Sequence, residues 1–233
     1  MYGYPRPAVA TDCVVFGFDG KNLKVLLIER GREPYIGKWA LPGGFMRMEE
    51  TADACTLREL KEETSLELKE REVEQVGAFT AVRRHPGKRV ISIAYYAALA
   101  REKYNMIKDG VHGGDDAVRA DWFNVKEVGE LAFDHNEILL CAMERLKENL
   151  HTKPDSFSLL GDSFTMSELH SLYEAIVGKE LDKRNFSKKM LSAHLLEEVE
   201  VNEVVERTVA AKRGPKGKMY KFSKESEESR GNW

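Results

Sequence analysis

The sequence predicts an α+β protein in two parts: a mixed sheet between helices, then a small helical module closed by a basic hairpin. Three observations predict it. The first half alternates short β-rich runs with turn residues and ends in an amphipathic stretch. One acidic stretch without Gly or Pro reads as a helix set among the strands. After residue 151 the text changes to short helices at core spacing and a turn rich in Lys and Arg. The first part is therefore expected over 1–151 and the second, with its linker, over 152–233.

The elements follow in order. Residues 12–18 and 23–29 are β-rich, and Asp19-Gly20-Lys21-Asn22 between them is a hairpin signal. Residues 51–64 read as a helix, with Ala54, Leu57 and Leu60 at helical spacing. Strand-like runs cover 76–82, 90–100 and 120–123. Residues 135–150 form an amphipathic helix with Ile138, Leu139, Ala142, Met143 and Leu146 on one side. Asp134 reads as its cap and Glu137 as the residue that completes a capping box. The polar stretch 151–163, with Pro154 and Gly161, reads as a linker.

Beyond it, 167–177 is a helix with Leu169, Leu172, Tyr173 and Ile176 at core spacing, capped by Ser167 or Thr165. Gly178-Lys179-Glu180 makes a turn, and 182–191 is a second helix with Phe186, Met190 and Leu191 inward. That second helix presents Lys183, Arg184, Asn185, Lys188 and Lys189. Short β-rich runs at 199–201, 207–211 and 219–222 follow, and the last two flank a basic turn with Arg213, Lys216 and Lys218. This is the layout of a winged helix-turn-helix, whose second helix enters a major groove of DNA. Residues 207–221 carry six basic side chains and no acidic one, while 152–233 balance at 14 basic against 14 acidic. The positive charge is focused, as a phosphate footprint requires.

Composition bounds the rest. The chain has 233 residues, 42% of them apolar, enough for one large domain or two small ones. A net charge of −3 gives no global attraction to nucleic acid or anionic membrane. Cys13, Cys55 and Cys141 are scattered and odd in number, which fits a reducing cytoplasm and no disulfide frame. The apolar runs are too short to span a membrane and no signal peptide is evident, so no membrane partner is expected.

The chemistry concentrates between Gly44 and Leu66. Glu59, Glu62 and Glu63 fall at i, i+3 and i+4, so three like charges share one helical face. Such a face gains from a cation between its carboxylates, and hard oxygen ligands suit Mg²⁺ or Mn²⁺. Pro42, Gly43 and Gly44 precede the helix, and the Gly44 backbone can approach such a site closely. A solvated acidic surface would carry the same charges without the glycines. Outside this stretch, Arg30, Arg84 and Arg89 are candidate phosphate contacts, because a diphosphate needs cations beyond the metal. Trp39 and Phe45 flank the turn as candidate base-stacking residues, with packing the competing role for Trp39. His135 reads as structural.

Gly44, Glu50, Arg58-Glu59-Leu60 and Glu62-Glu63 stand at the spacing of the Nudix box, G-x5-E-x7-R-E-U-x-E-E-x-G-U, which this stretch resembles. Leu60 and Leu66 fill the aliphatic positions, and Ser65 stands where the family has glycine. Serine in the left-handed conformation that position takes costs on the order of 1 kcal/mol. The resemblance implies the Nudix fold, catalytic and metal-binding roles for Glu59, Glu62 and Glu63, and an Arg58–Glu50 pair that holds the loop to the helix. With 84–96, 114–117, 131–136 and 164–191, the chain as a whole is similar to the Nudix-related transcriptional regulators. That group includes regulators of NAD metabolism and of sugar use, and its best-known branch binds ADP-ribose. The resemblance implies operator DNA and an ADP-ribose-like molecule as partners, and helix-turn-helix regulators usually bind DNA as dimers. Two other readings stand beside it: a plain pyrophosphohydrolase with a C-terminal dimerisation domain, and a sugar-phosphate sensor without hydrolase activity.

Overall fold

The computed structural model describes residues 4–108, 117–150, 158–193, 195–199 and 218–223. Its first sheet contains β1 (Ala8–Phe18), β2 (Leu23–Arg30), β3 (Trp39–Ala40), β4 (Gly43–Phe45), β5 (Glu74–Phe79), β6 (Val90–Ala98) and β7 (Ala117–Asn124). The order is β3-β2-β1-β6-β5, with β4 on β1 and β7 on β2. β1 and β6 run parallel, from Ala8↔Val90 to Phe16↔Ala98, and the other pairs are antiparallel. Successive side chains of a strand face opposite ways. Val14, Phe16 and Phe18 therefore join one apolar layer with Ile138, Ala142 and Leu146 of α3 (His135–Asn149). Cys13 and Val15 join the other with Leu60 of α1 (Ala52–Thr64).

A helix not read from the sequence, α2 (Arg101–Ile107), follows β6. Its Tyr104 lies under Gly17, where an added Cβ would fall 2.4 Å from the ring. A short helix with one buried residue leaves too little periodicity to detect.

The C-terminal module has β8 (Phe164–Thr165), α4 (Met166–Val177), α5 (Lys183–Ser192), β9 (Leu196–Val199) and β10 (Met219–Phe222). Thr165 caps α4 in a reciprocal box with Glu168, and Gly178 ends it at φ 76°. Asp182 caps α5 by accepting from the Asn185 N–H at 2.8 Å. β10 pairs antiparallel with β9 and β8, which sets 219–222 beside Leu196–Val199. The expected strand at 207–211 and the wing residues Arg213 and Lys216 lie outside the described residues. Leu191, expected inward, is exposed, because Phe186 and Met190 already fill the inward face of α5.

The expected linker is also corrected at its end. Leu159 and Leu160 are fully buried, and they continue the layer of α3 into Phe164, Leu169, Leu172 and Ile176. Ser158 Oγ donates to the Ala98 carbonyl at 3.1 Å. Arg101 donates to the Leu160 carbonyl at 3.3 Å and pairs with Glu168 at 2.7 Å. Two apolar residues inside polar text carried the packing that composition hid.

Candidate functional site

The acidic face begins with Thr51, whose hydroxyl accepts from the Ala54 N–H at 3.2 Å and starts α1. Cys55, Thr56 and Leu60 are buried, Leu60 in the apolar layer and Cys55 against Thr11 and the Gly44 carbonyl. Ser65 ends the helix at φ 58°, the left-handed conformation expected for the position, and its N–H reaches the Lys61 carbonyl.

Arg58 organises the carboxylates. It grips Glu50 with two parallel bonds, Nη2 to Oε1 at 2.7 Å and Nε to Oε2 at 3.0 Å. Its Nη1 donates to Glu59 at 2.7 Å and to Glu62 at 2.9 Å. The Arg58 guanidinium holds the Glu50 carboxyl down at about 2. Glu63 turns away and accepts from the Gly43 N–H at 2.8 Å. Burial pushes its carboxyl up to about 8, with Glu59 and Asp12 adding repulsion. Burial and the charges of Glu62 and Glu50 also raise Glu59, against the pull of Arg58.

The turn before α1 demands glycine at Gly43, where a side chain would meet backbone, and at Gly44 a side chain would displace Glu59. A Cβ on Gly43 would fall 2.1 Å from the Thr11 carbonyl oxygen, and one on Gly44 2.3 Å from Glu59 Oε1. Glu59 therefore lies directly on the Gly44 backbone.

Beside this face opens a cavity of about 500 Å³, lined by Gly43, Gly44 and Phe45, by Arg30, Arg84, His85 and Lys88, and by Asp12, Phe133 and His135. Its floor is a buried polar network. Asp12 accepts from Ser92 and from Arg84 Nη2 at 3.3 Å, and His135 Nε2 lies 3.3 Å from Asp12 Oδ1. Arg84 is also forked onto Asp134, at 2.8 and 2.6 Å. His135 Nδ1 accepts from the Leu41 N–H at 2.9 Å, which leaves the ring proton on Nε2, facing Asp12. Burial alone would raise the Asp12 carboxyl, but His135, Ser92 and Arg84 together bring it to about 2. Asp134 thus spends its carboxylate on Arg84, and it makes no side-chain cap on α3 as the sequence had implied.

One wall is aromatic. His85 stacks on Phe133 at 5.3 Å, Tyr35 meets the same ring edge-on at 4.8 Å, and the Arg30 guanidinium sits 4.8 Å from its centroid. Tyr35 and Phe133 hold φ of 67° and 53°, left-handed values that cost non-glycine residues about 1–3 kcal/mol and gather at ligand sites. Phe45 is exposed at the rim, with Lys88 5.7 Å from its ring.

Two expected contacts are elsewhere. Trp39 packs edge-on against Phe123 at 4.5 Å under Arg119 and does not line the cavity, because β3 pairs with β2 on the far side of the turn. Arg89 donates to the carbonyls of Ala81 and Val90. The sequence reading missed Asp12, His85, Lys88 and Phe133. Asp12 had one available signal, a lone carboxylate heading an apolar strand.

On the C-terminal module, Lys183, Arg184, Asn185, Lys188 and Lys189 are exposed together on α5. Lys218, just before β10, pairs with Glu198 at 2.7 Å.

Comparison with known proteins matches residues 6–146 to the NUDIX domain model and 156–222 to the NrtR DNA-binding winged helix model. The chain belongs to the Nudix family. It is 30% identical over 225 residues to the ADPR responsive transcriptional repressor NtrR of Acinetobacter baylyi, covering 94% of this chain and 84% of that one. It is 37% identical over 136 residues to an ADP-ribose pyrophosphatase of Methanocaldococcus jannaschii, covering 58% of this chain and 73% of that one. Shewanella oneidensis NrtR in complex with a 27mer DNA superimposes with a TM-score of 0.71 at 25% identity, covering 94% of this chain and 95% of that one. The mixed sheet and the C-terminal module are thus a Nudix fold joined to a winged helix.

Nudix hydrolases generally use divalent metal ions, and the donor set on α1 fits one. Burial first, and neighbouring negative charge after it, push Glu59 and Glu63 toward protonation, and a bound cation would relieve the crowding of charge. As the side chains stand, no three acidic, His or Cys groups converge on one point among the described residues. Arg58 lies between Glu59 and Glu62, and Glu63 is held by Gly43.

Proposed function

We propose that this protein is a transcriptional repressor whose Nudix domain binds, and hydrolyses, an ADP-ribose-like nucleotide diphosphate. The observation that carries the reading is one relative, an ADPR-responsive repressor, matched across 94% of the chain, cavity and winged helix together. The domains divide at 1–151 and 152–233, with one shared core across the division. The protein acts as a homodimer in the cytoplasm. Among the described residues no helix is long and apolar enough to cross a membrane.

In this reading Glu59, Glu62, Glu63 and the Gly44 carbonyl hold Mg²⁺ or Mn²⁺. When bound, the ion neutralises the diphosphate and lowers the pKa of an attacking water. The chain's own residues do the rest. Arg58 fixes Glu50 and so keeps the loop on the helix. Glu62, the most exposed of the three carboxylates, takes the proton from the water. Arg30 and Lys88 face the phosphates from the cavity wall. Phe45 offers the exposed ring for the base. Lys183, Arg184, Asn185, Lys188 and Lys189 contact DNA from α5, and Arg213, Lys216 and Lys218 do so from the wing.

A titration of operator DNA with and without saturating ADP-ribose tests the regulatory claim. Ligand is expected to weaken DNA binding by roughly 5–150-fold, the usual range of allosteric coupling, and DNA must weaken ligand binding equally. Equal DNA affinities in both titrations would leave an independent enzyme. Alanine at both Lys183 and Lys188 is expected to flatten the log–log salt dependence by about 0.9 per lost phosphate contact.

A further inference from the structure

The guanidinium of Arg84 is buried, and its hydrogen bonds are unevenly shared. Nε and Nη2 are taken by Asp134 and Asp12, while Nη1 has no hydrogen-bond partner among the described residues. The residue is 8% exposed and lines the cavity, so the Nη1 edge is the part left for a ligand. Two carboxylates fix its plane. Such a donor is oriented before a ligand arrives, and little ordering entropy remains to be lost.

The charge beside it says what kind of ligand atom this donor serves. Two carboxylates surround one guanidinium, so the local charge is net negative. A phosphate placed there would be repelled. A hydroxyl would not. It accepts from Nη1 and can donate in turn to Asp12, whose Oδ1 takes one hydrogen bond, from His135, and retains a lone pair. A donor and an acceptor side by side, fixed in a negative setting, suit the vicinal hydroxyls of a sugar. Arg30 and Lys88, which line the same cavity, remain to meet the phosphates.

We propose that Arg84, clamped by Asp12 and Asp134, is a specificity-determining residue that reads the sugar hydroxyls of the distal ribose and not the diphosphate. This rests on the ADP-ribose reading above and deepens it. It assigns to the cavity floor the choice between a nucleoside diphosphate with a second sugar and one without.

The test is calorimetric titration of the full chain with ADP-ribose and with ADP, which lacks the distal ribose, in metal-free buffer so that neither is consumed. Wild-type protein is expected to prefer ADP-ribose. Arg84→Lys is expected to weaken ADP-ribose by about 10- to 100-fold, the scale of a hydrogen bond to a charged donor, and to leave ADP within about twofold. Asp134→Asn loosens the fork while making the floor less negative, so ADP-ribose should weaken and ADP should bind as well or better. A purely structural role would move both ligands together, and a melting curve for each variant reports its folding independently. Equal losses for ADP and ADP-ribose in Arg84→Lys would make Arg84 a phosphate ligand and overturn the assignment. Unchanged affinity for both in the two variants would also overturn it. Wild-type protein that binds neither nucleotide would sink the ADP-ribose reading itself, and this assignment with it.

Discussion

The carboxylate face of α1 and the cavity floor beside it carry similar charges, yet they are built in opposite ways. The face comes from six consecutive residues, Arg58 to Glu63, on one helix. The floor gathers Asp12 from β1, Ser92 from β6, Arg84 from a loop, and Asp134 and His135 from the start of α3. On the face, three glutamates, Glu50, Glu59 and Glu62, share one arginine, so negative charge is in excess and open to a cation. On the floor most polar atoms have a protein partner, and the Nη1 edge of Arg84 is left toward the cavity. An unbalanced, reachable set is suited to chemistry. A largely paired, buried set holds geometry.

That contrast makes its strongest prediction at Glu62. Its substitution should cost activity and little stability, since its side chain is about a third exposed. Glu62→Gln is expected to lower turnover of ADP-ribose by roughly 10²–10⁴, with stability changed by no more than about 0.5 kcal/mol. Wild-type turnover would remove Glu62 from the reaction.

The floor should respond the other way. His135→Ala strips a partner from both Asp12 and the Leu41 N–H. Denaturant unfolding is expected to show a loss of about 3 kcal/mol, the cost of stranding buried polar groups. A loss below about 1 kcal/mol would mean that the network carries no such constraint.

A smaller effect probes the joint between the two domains. The Glu168 carboxyl loses from burial but gains more from Thr165 and Arg101, and lies below the ordinary 4.5. A depressed folded-state value means stability that is present above pH 4.5 and lost as pH falls through the lowered value. Wild type should therefore exceed Glu168→Gln by about 1 kcal/mol at pH 7, and the gap should shrink below about pH 4. A gap independent of pH would assign the effect to packing.

The smallest concerns the helix end. Ser65→Gly relieves a left-handed serine at φ 58°, and is expected to raise stability by about 1 kcal/mol without altering turnover. A stability gain accompanied by lost turnover would tie that strain to the chemistry.

The sequence by itself determined what depends on local spacing. Glu59, Glu62 and Glu63 share a face because a helix repeats every 3.6 residues, and Ser65 takes a left-handed turn because a helix must end there. Thr165, Gly178 and Asp182 fixed two helices of the winged helix through caps readable within a few residues. Only the tertiary structure decided the cavity floor, because parallel pairing of β1 with β6 brings Asp12 beside Ser92, eighty positions away. It also decided that Asp134 serves Arg84 rather than its own helix, and that Leu159 and Leu160 close one core over both domains. Those choices turn on which buried charge and which apolar face find partners across the fold, and no local period in the chain encodes that competition.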